Sequence, residues 1–171
     1  MRISSVLLAA TLAVGGSMAV AVPAQAADTT YTAHLSAADE VPTNVSLAHG
    51  QVVLKLSSDG TELEYRLIVA NLDNPVAAHI HLSPEGVNGP VVAFLFGPAA
   101  PAGGQTSGVI ATGTITADDL VGPLAGQPLS VLIDAIEDGN AYVNVHTNDG
   151  DPSTSGGPGD IPAGEIRGQL D

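Results

Sequence analysis

The segment QVVLKLSSDGTELEYRLIVANL, residues 51–72, constrains the fold more than any other stretch of the chain. Two alternating runs flank Ser58-Asp59-Gly60, the residue types of a tight hairpin turn. Val52, Leu54 and Leu56 leave one face of the first run, with Gln51 and Lys55 opposite. Leu63, Tyr65, Leu67 and Val69 alternate with Glu62, Glu64 and Arg66 on the second. A period of two describes strands with one dry and one wet face, and no helix satisfies it.

Similar runs predict further strands over 30–36, 76–82, 91–96, 108–116, 141–147 and 164–171, separated by the turn clusters NLDNP, SPEGVNGP, GPAAPAGG and GDPSTSGGPGD. Two short helical pieces interrupt them. Thr116 is placed to cap ADDL, and PLSVLIDAIEDGN carries an aliphatic stripe behind a proline. The expected fold is all-β: an antiparallel Greek-key sandwich or barrel of seven to eight strands with one or two short helices. With no Trp and only two Phe, its core must be aliphatic.

Residues 1–26 read as a signal peptide. Arg2 precedes an apolar stretch broken by Gly15 and Gly16, and Ala24-Gln25-Ala26 supplies the small-residue cleavage site. The mature domain is then 27–171, secreted or otherwise extracytoplasmic, with no membrane span after cleavage. The absence of cysteine excludes disulfides, thiolate metal sites and thiol catalysis. Eighteen acidic against four basic residues give a formal charge of −14, one unit more negative once Arg2 is removed. Such a surface repels phosphate backbones, so nucleic acid is not an expected partner.

The chemistry-bearing residues are histidines. In VAAHIHL, His79 and His81 leave the face opposite Ala78, Ile80 and Leu82. In AYVNVHT, Tyr142, Asn144 and His146 leave the face opposite Val143 and Val145. If the two strands are neighbours, three imidazoles converge on one outer patch. Histidines at i and i+2 lie about 6.6 Å apart along a strand, within reach of a single ion. Three imidazoles without a thiolate suit Cu(II) or Zn(II). The competing reading is three ordinary hydrogen-bonded histidines on a solvated face. His34 and His49 read as surface histidines, either one a fourth ligand if the fold brings it near. Asn144, Glu165 and Arg167 are candidates for orienting the ligands, and for Glu165 and Arg167 pairing with neighbouring strands is the plainer role. HTNDGDPS is faintly calcium-like but lacks the oxygen spacing and terminal Glu of an EF-hand. Asn44-Val45-Ser46 is a glycosylation sequon.

AADEVP, AHIHLSPEGVNGPVV, AYVNVHT and PAGEIRGQL, in this order, resemble the CHRD domain, named for chordin and found alone in many exported bacterial proteins. The resemblance runs from about Thr30 to Leu170 and includes Glu40, Val41, Pro42, His79, His81, Asn88, Gly89, Pro90, Tyr142, Asn144, His146, Gly164, Glu165, Arg167 and Gly168. The loop from Asn148 to Pro162 is longer than is usual there. The resemblance implies an extracellular β-sandwich, and an extracellular protein partner, without fixing an activity. A looser similarity is to copper–zinc superoxide dismutases, Greek-key barrels in which an H-x-H strand and a distant strand histidine bind copper. His79, His81 and His146 would correspond in role. This chain lacks a clear bridging histidine after the H-x-H, lacks the cysteine pair, and carries the wrong charge to attract superoxide. The leading expectation is therefore a secreted CHRD-domain binding protein holding copper, or zinc, through His79, His81 and His146. The alternatives are a dismutase-like copper redox enzyme and a metal-free extracellular protein-interaction module.

Overall fold

A computed structural model describes residues 29–153 and 156–171. The segment read as a signal peptide lies outside them. Eight strands form one sheet: β1 (Thr29–Ser36), β2 (His49–Leu56), β3 (Leu63–Asp73), β4 (Pro75–Leu82), β5 (Val91–Phe96), β6 (Gln105–Ile115), β7 (Ala141–Thr147) and β8 (Ile166–Gln169). Their order is β5-β4-β7-β8-β1-β2-β3-β6, and every pairing is antiparallel. The two ends, β5 and β6, lie beside each other. Tyr65 on β3 donates across that gap to the Leu95 carbonyl of β5 at 2.8 Å, and the Val121 amide just after β6 donates to Val92 O at 2.9 Å. The result is a nearly closed barrel, which leaves little strand edge exposed.

The hairpin read from residues 51–72 is β2–β3, with Val52 facing Leu67 and Leu54 facing Tyr65 across the ladder. At its turn Gly60 adopts a φ of 74°, a conformation open to glycine at no steric cost. Asp59 Oδ1 accepts from Ser57 Oγ, Thr61 N and Thr61 Oγ1, closing the loop. Leu54, Leu63, Leu67, Ile80, Val143 and Ile166 are fully buried on the interior face.

The two helical expectations resolve differently. ADDL is a single 3₁₀ turn over Ala117–Asp119, where Thr116 and Asp119 form a reciprocal capping box. PLSVLIDAIEDGN contains an α-helix, α1 (Leu129–Glu137), with Leu129, Leu132, Ile133 and Ile136 turned onto the core. Tyr31 Oη donates to Glu137 Oε1 at 2.7 Å and ties β1 to the end of this helix.

The outer face of β4, β7 and β8 is covered over part of its extent rather than open to solvent throughout. His81, Asn144, Glu165 and Arg167 all point away from the aliphatic core yet are buried. The β4–β5 loop folds back over them, as do the segments before β2 and before β8. Asn88 Nδ2 donates to Val41 O at 2.7 Å, and Asn44 Nδ2 to Glu165 O at 2.9 Å, joining these coverings to one another and to the sheet. Alternation along a strand separates two faces but does not report what lies on either one.

Candidate metal centre

β4 and β7 are adjacent, and their register places His79 opposite Asn144 and His81 opposite Tyr142, with His146 opposite Ala77. His79 and His146 are therefore diagonal neighbours on one face. Ring centroids are 4.9 Å apart for His79 and His146, 5.6 Å for His79 and His81, and 6.2 Å for His81 and His146. One ligand nitrogen from each ring lies within 4.8 Å of the others. Two nitrogens bound to one ion at about 2.0–2.1 Å must lie about 3 Å apart. His79 Nδ1 and His146 Nε2 are separated by 3.1 Å.

Two backbone carbonyls decide which nitrogens are available. His81 Nδ1 donates to Gly89 O at 2.9 Å, and His146 Nδ1 donates to Pro162 O at 2.9 Å. Each ring thus carries its proton on Nδ1 and its lone pair on Nε2. The His146 lone pair meets His79 Nδ1. The His81 Nε2 is buried and has no hydrogen-bond partner. Leaving a buried polar atom unsatisfied costs about 1–3 kcal/mol, which a bound cation would recover. The donor set, three imidazole nitrogens with two tautomers fixed, fits a divalent ion.

Burial pushes the His79 pKa from 6.5 down to about 4, helped by the nearby His146 and His81. Burial also lowers His81, against the opposing effects of the Gly89 bond and the neighbouring Asn144 side chain, and lowers His146, against that of the Pro162 bond. All three rings are therefore neutral at pH 7, the state a metal requires. His79 and His146 are only half-buried, so the cluster opens to solvent on their side, where the half-exposed Phe94 meets the His79 ring at 4.9 Å.

Beneath the cluster lies a stack of rings and charge. The His81 ring lies on Tyr142 at 4.8 Å with 10° between planes, and the Arg167 guanidinium carbon sits 3.4 Å from the same ring's centroid. Because β7 runs between β4 and β8, the tyrosine is held between the imidazole and the cation. Arg167 also donates to Pro84 O, Val87 O and Asn88 Oδ1, fixing the loop that presents Gly89. Gly89 N in turn donates to Tyr142 Oη at 3.2 Å.

A scan against family models matches the CHRD domain over residues 31–156. The chain belongs to the CHRD domain family. No curated protein and no solved structure matches it. The match stops short of β8, so Glu165 and Arg167 fall outside it.

Of the residues singled out in sequence, His79, His81 and His146 are brought together in this CHRD domain. His34 and His49 are not, since they lie on β1 and β2, two and three strands beyond β7. Arg167 reaches the centre through Tyr142 and the Gly89 loop. Among the described residues Glu165 makes no hydrogen bond to a histidine: its carboxylate accepts from Ser46 Oγ, Thr147 Oγ1 and Gly159 N, pinning both covering segments. The long loop does not displace its end from His146, because Pro162 O is that ring's partner. The sequon is engaged internally, with Asn44 Oδ1 accepting from Ser46 N and its Nδ2 bound to Glu165 O. In the calcium-like stretch Asn148, Asp149 and Asp151 each accept a backbone amide two residues on. The carbonyls of Gly89 and Pro162 go unread in the sequence, because carbonyl partners leave no mark there, and Phe94 lies in an apolar run with nothing to set it apart.

Proposed function

We propose that this chain is an exported CHRD-domain binding protein that holds one copper ion, with zinc as competitor, through His79, His81 and His146. The observation that carries this reading is the buried, unpartnered Nε2 of His81 in a cluster of three imidazoles that can each bring one nitrogen within 4.8 Å of the others. Copper is favoured because divalent affinity at a nitrogen site rises to Cu(II) and falls again at Zn(II). Export is supported by the leader-like residues 1–26, and among the described residues no helix is long and apolar enough to cross a membrane. The binding role is preferred over dismutase-like turnover because Arg167 is 1% exposed and its donors are engaged by loop acceptors. It offers no guide to an anionic substrate.

Equilibrium dialysis of wild type and His81→Ala against Cu(II) and Zn(II) at pH 7 tests the reading. The variant should bind one ion fewer per chain. Equal uptake by both proteins eliminates it.

A further inference from the structure

A second pair of histidines occupies a different wall of the barrel. On β1 and β2 the register sets His34 opposite Gln51 and Ser36 opposite His49. His34 and His49 are thus diagonal neighbours on the outer face, both exposed. Diagonal positions in an antiparallel pair lie about 7–8 Å apart at the backbone, a span two imidazoles can bridge around one ion. β3 extends the same face, with Ala70 opposite His49 and Ile68 opposite Gln51. A cavity of about 260 Å³ is lined by His34, His49, Gln51, Ile68 and Ala70 among others.

The donors there are suited to a cation. His49 Nδ1 lies 3.4 Å from Leu47 O, so its Nε2 carries the lone pair when Nδ1 holds the proton. Among the described residues neither the His34 ring nor the Gln51 amide makes a side-chain hydrogen bond. Two imidazole nitrogens and an amide oxygen form a set of borderline ligands that prefers Cu(II), Ni(II) or Zn(II) to the hard ions Ca²⁺ and Mg²⁺.

We infer that the His34–His49 face is a second, solvent-open site for a borderline divalent cation, separate from the three-histidine centre. It is independent of that centre, because no strand carries residues of both.

The test is copper stoichiometry combined with paramagnetic broadening in two-dimensional NMR. Wild type should bind two Cu(II) per chain, the double variant His34→Ala/His49→Ala one, and His79→Ala/His81→Ala one. Cu(II) should broaden the amide signals of Gly50 and Ala70 in wild type and in the His79/His81 variant, and spare them in the His34/His49 variant. Because His34 and His49 are exposed, their replacement leaves the core intact, and His49→Gln provides a conservative check. Unchanged copper uptake in the His34/His49 variant, or sharp Gly50 and Ala70 signals in copper-loaded wild type, overturns the inference. Neither result bears on the three-histidine centre, whose failure would show in the His79/His81 variant alone.

Discussion

Replacing Glu40 by glutamine should stabilise the metal-free protein at alkaline pH and leave it nearly unchanged in mild acid. Glu40 is 3% exposed, and its Oε1 has no hydrogen-bond partner. Its carboxyl is packed so closely on Gly164 that a β-carbon there would sit within 2.4 Å of Oε1. Burial lifts its pKa from 4.5 to about 7; the Val41 amide, the Arg167 charge and Asn144 pull the other way, and Asp39 adds slightly to the rise. A folded pKa above the unfolded one stabilises the fold fully below pH 4.5, and that contribution is lost as pH rises through 7. At about 1.4 kcal/mol per pH unit, the interval corresponds to about 3 kcal/mol between acid and alkaline conditions. Glutamine cannot ionise and so escapes the loss. Urea unfolding of wild type and Glu40→Gln in the presence of a chelator, from pH 5 to pH 9, measures the difference. The histidines titrate in both proteins and cancel. Parallel stability profiles would refute the reasoning. A variant that loses more stability at pH 9 than at pH 5 would refute it too, by showing that the carboxylate is needed as a counter-charge to Arg167.

Three further outcomes are expected. In the metal-free protein, NMR titration should keep the His79 ring neutral until about pH 4, whereas a midpoint near 6.5 would mean that the cluster is solvated. Unfolded chains bind protons at this position over that interval and folded ones do not, so its contribution to stability falls as pH drops from 6.5 towards 4. Arg167→Met strips three loop acceptors of their donor and should cost at least about 1–3 kcal/mol in denaturant unfolding. It should also weaken Cu(II) binding about 10–100-fold in dialysis, because the Gly89 carbonyl loses its support. Gly168→Ala puts a β-carbon 2.0 Å from the His34 carbonyl oxygen, forcing β1 and β8 apart. A loss of about 4 kcal/mol or more is expected, read as a collapse of the thermal transition, and a near-wild-type melting curve would show that the strands can separate at little cost.

The strands were legible because their chemistry is local. Alternation at 51–56 and 63–69, and the turn residues between, set β2 and β3 without reference to the rest of the chain. AYVNVHT was bounded to the residue as β7, since Asn140 before it and Asn148 after it mark turns. The sharing of one face by His79 and His81 follows from strand geometry alone, as does that of Asn144 with His146. Helical propensity was less informative: ADDL has a helix-start signature but space for only one 3₁₀ turn before Leu120 enters the core.

What the sequence determined by itself was an aliphatic, cysteine-free, antiparallel β fold with histidines on the side of two strands away from the core. Tertiary structure decided everything that depends on distant segments meeting. It set β4 beside β7, chose the register that brings His79 Nδ1 to His146 Nε2, and folded the Gly89 and Pro162 carbonyls onto two imidazoles. It also sent His34 and His49 to another wall. The physical reason is the range of the forces involved. Alternation and turn preference act over a few residues, whereas burial of His81 and the fixing of its proton arise from a loop returning across the sheet, which no short window of residues encodes.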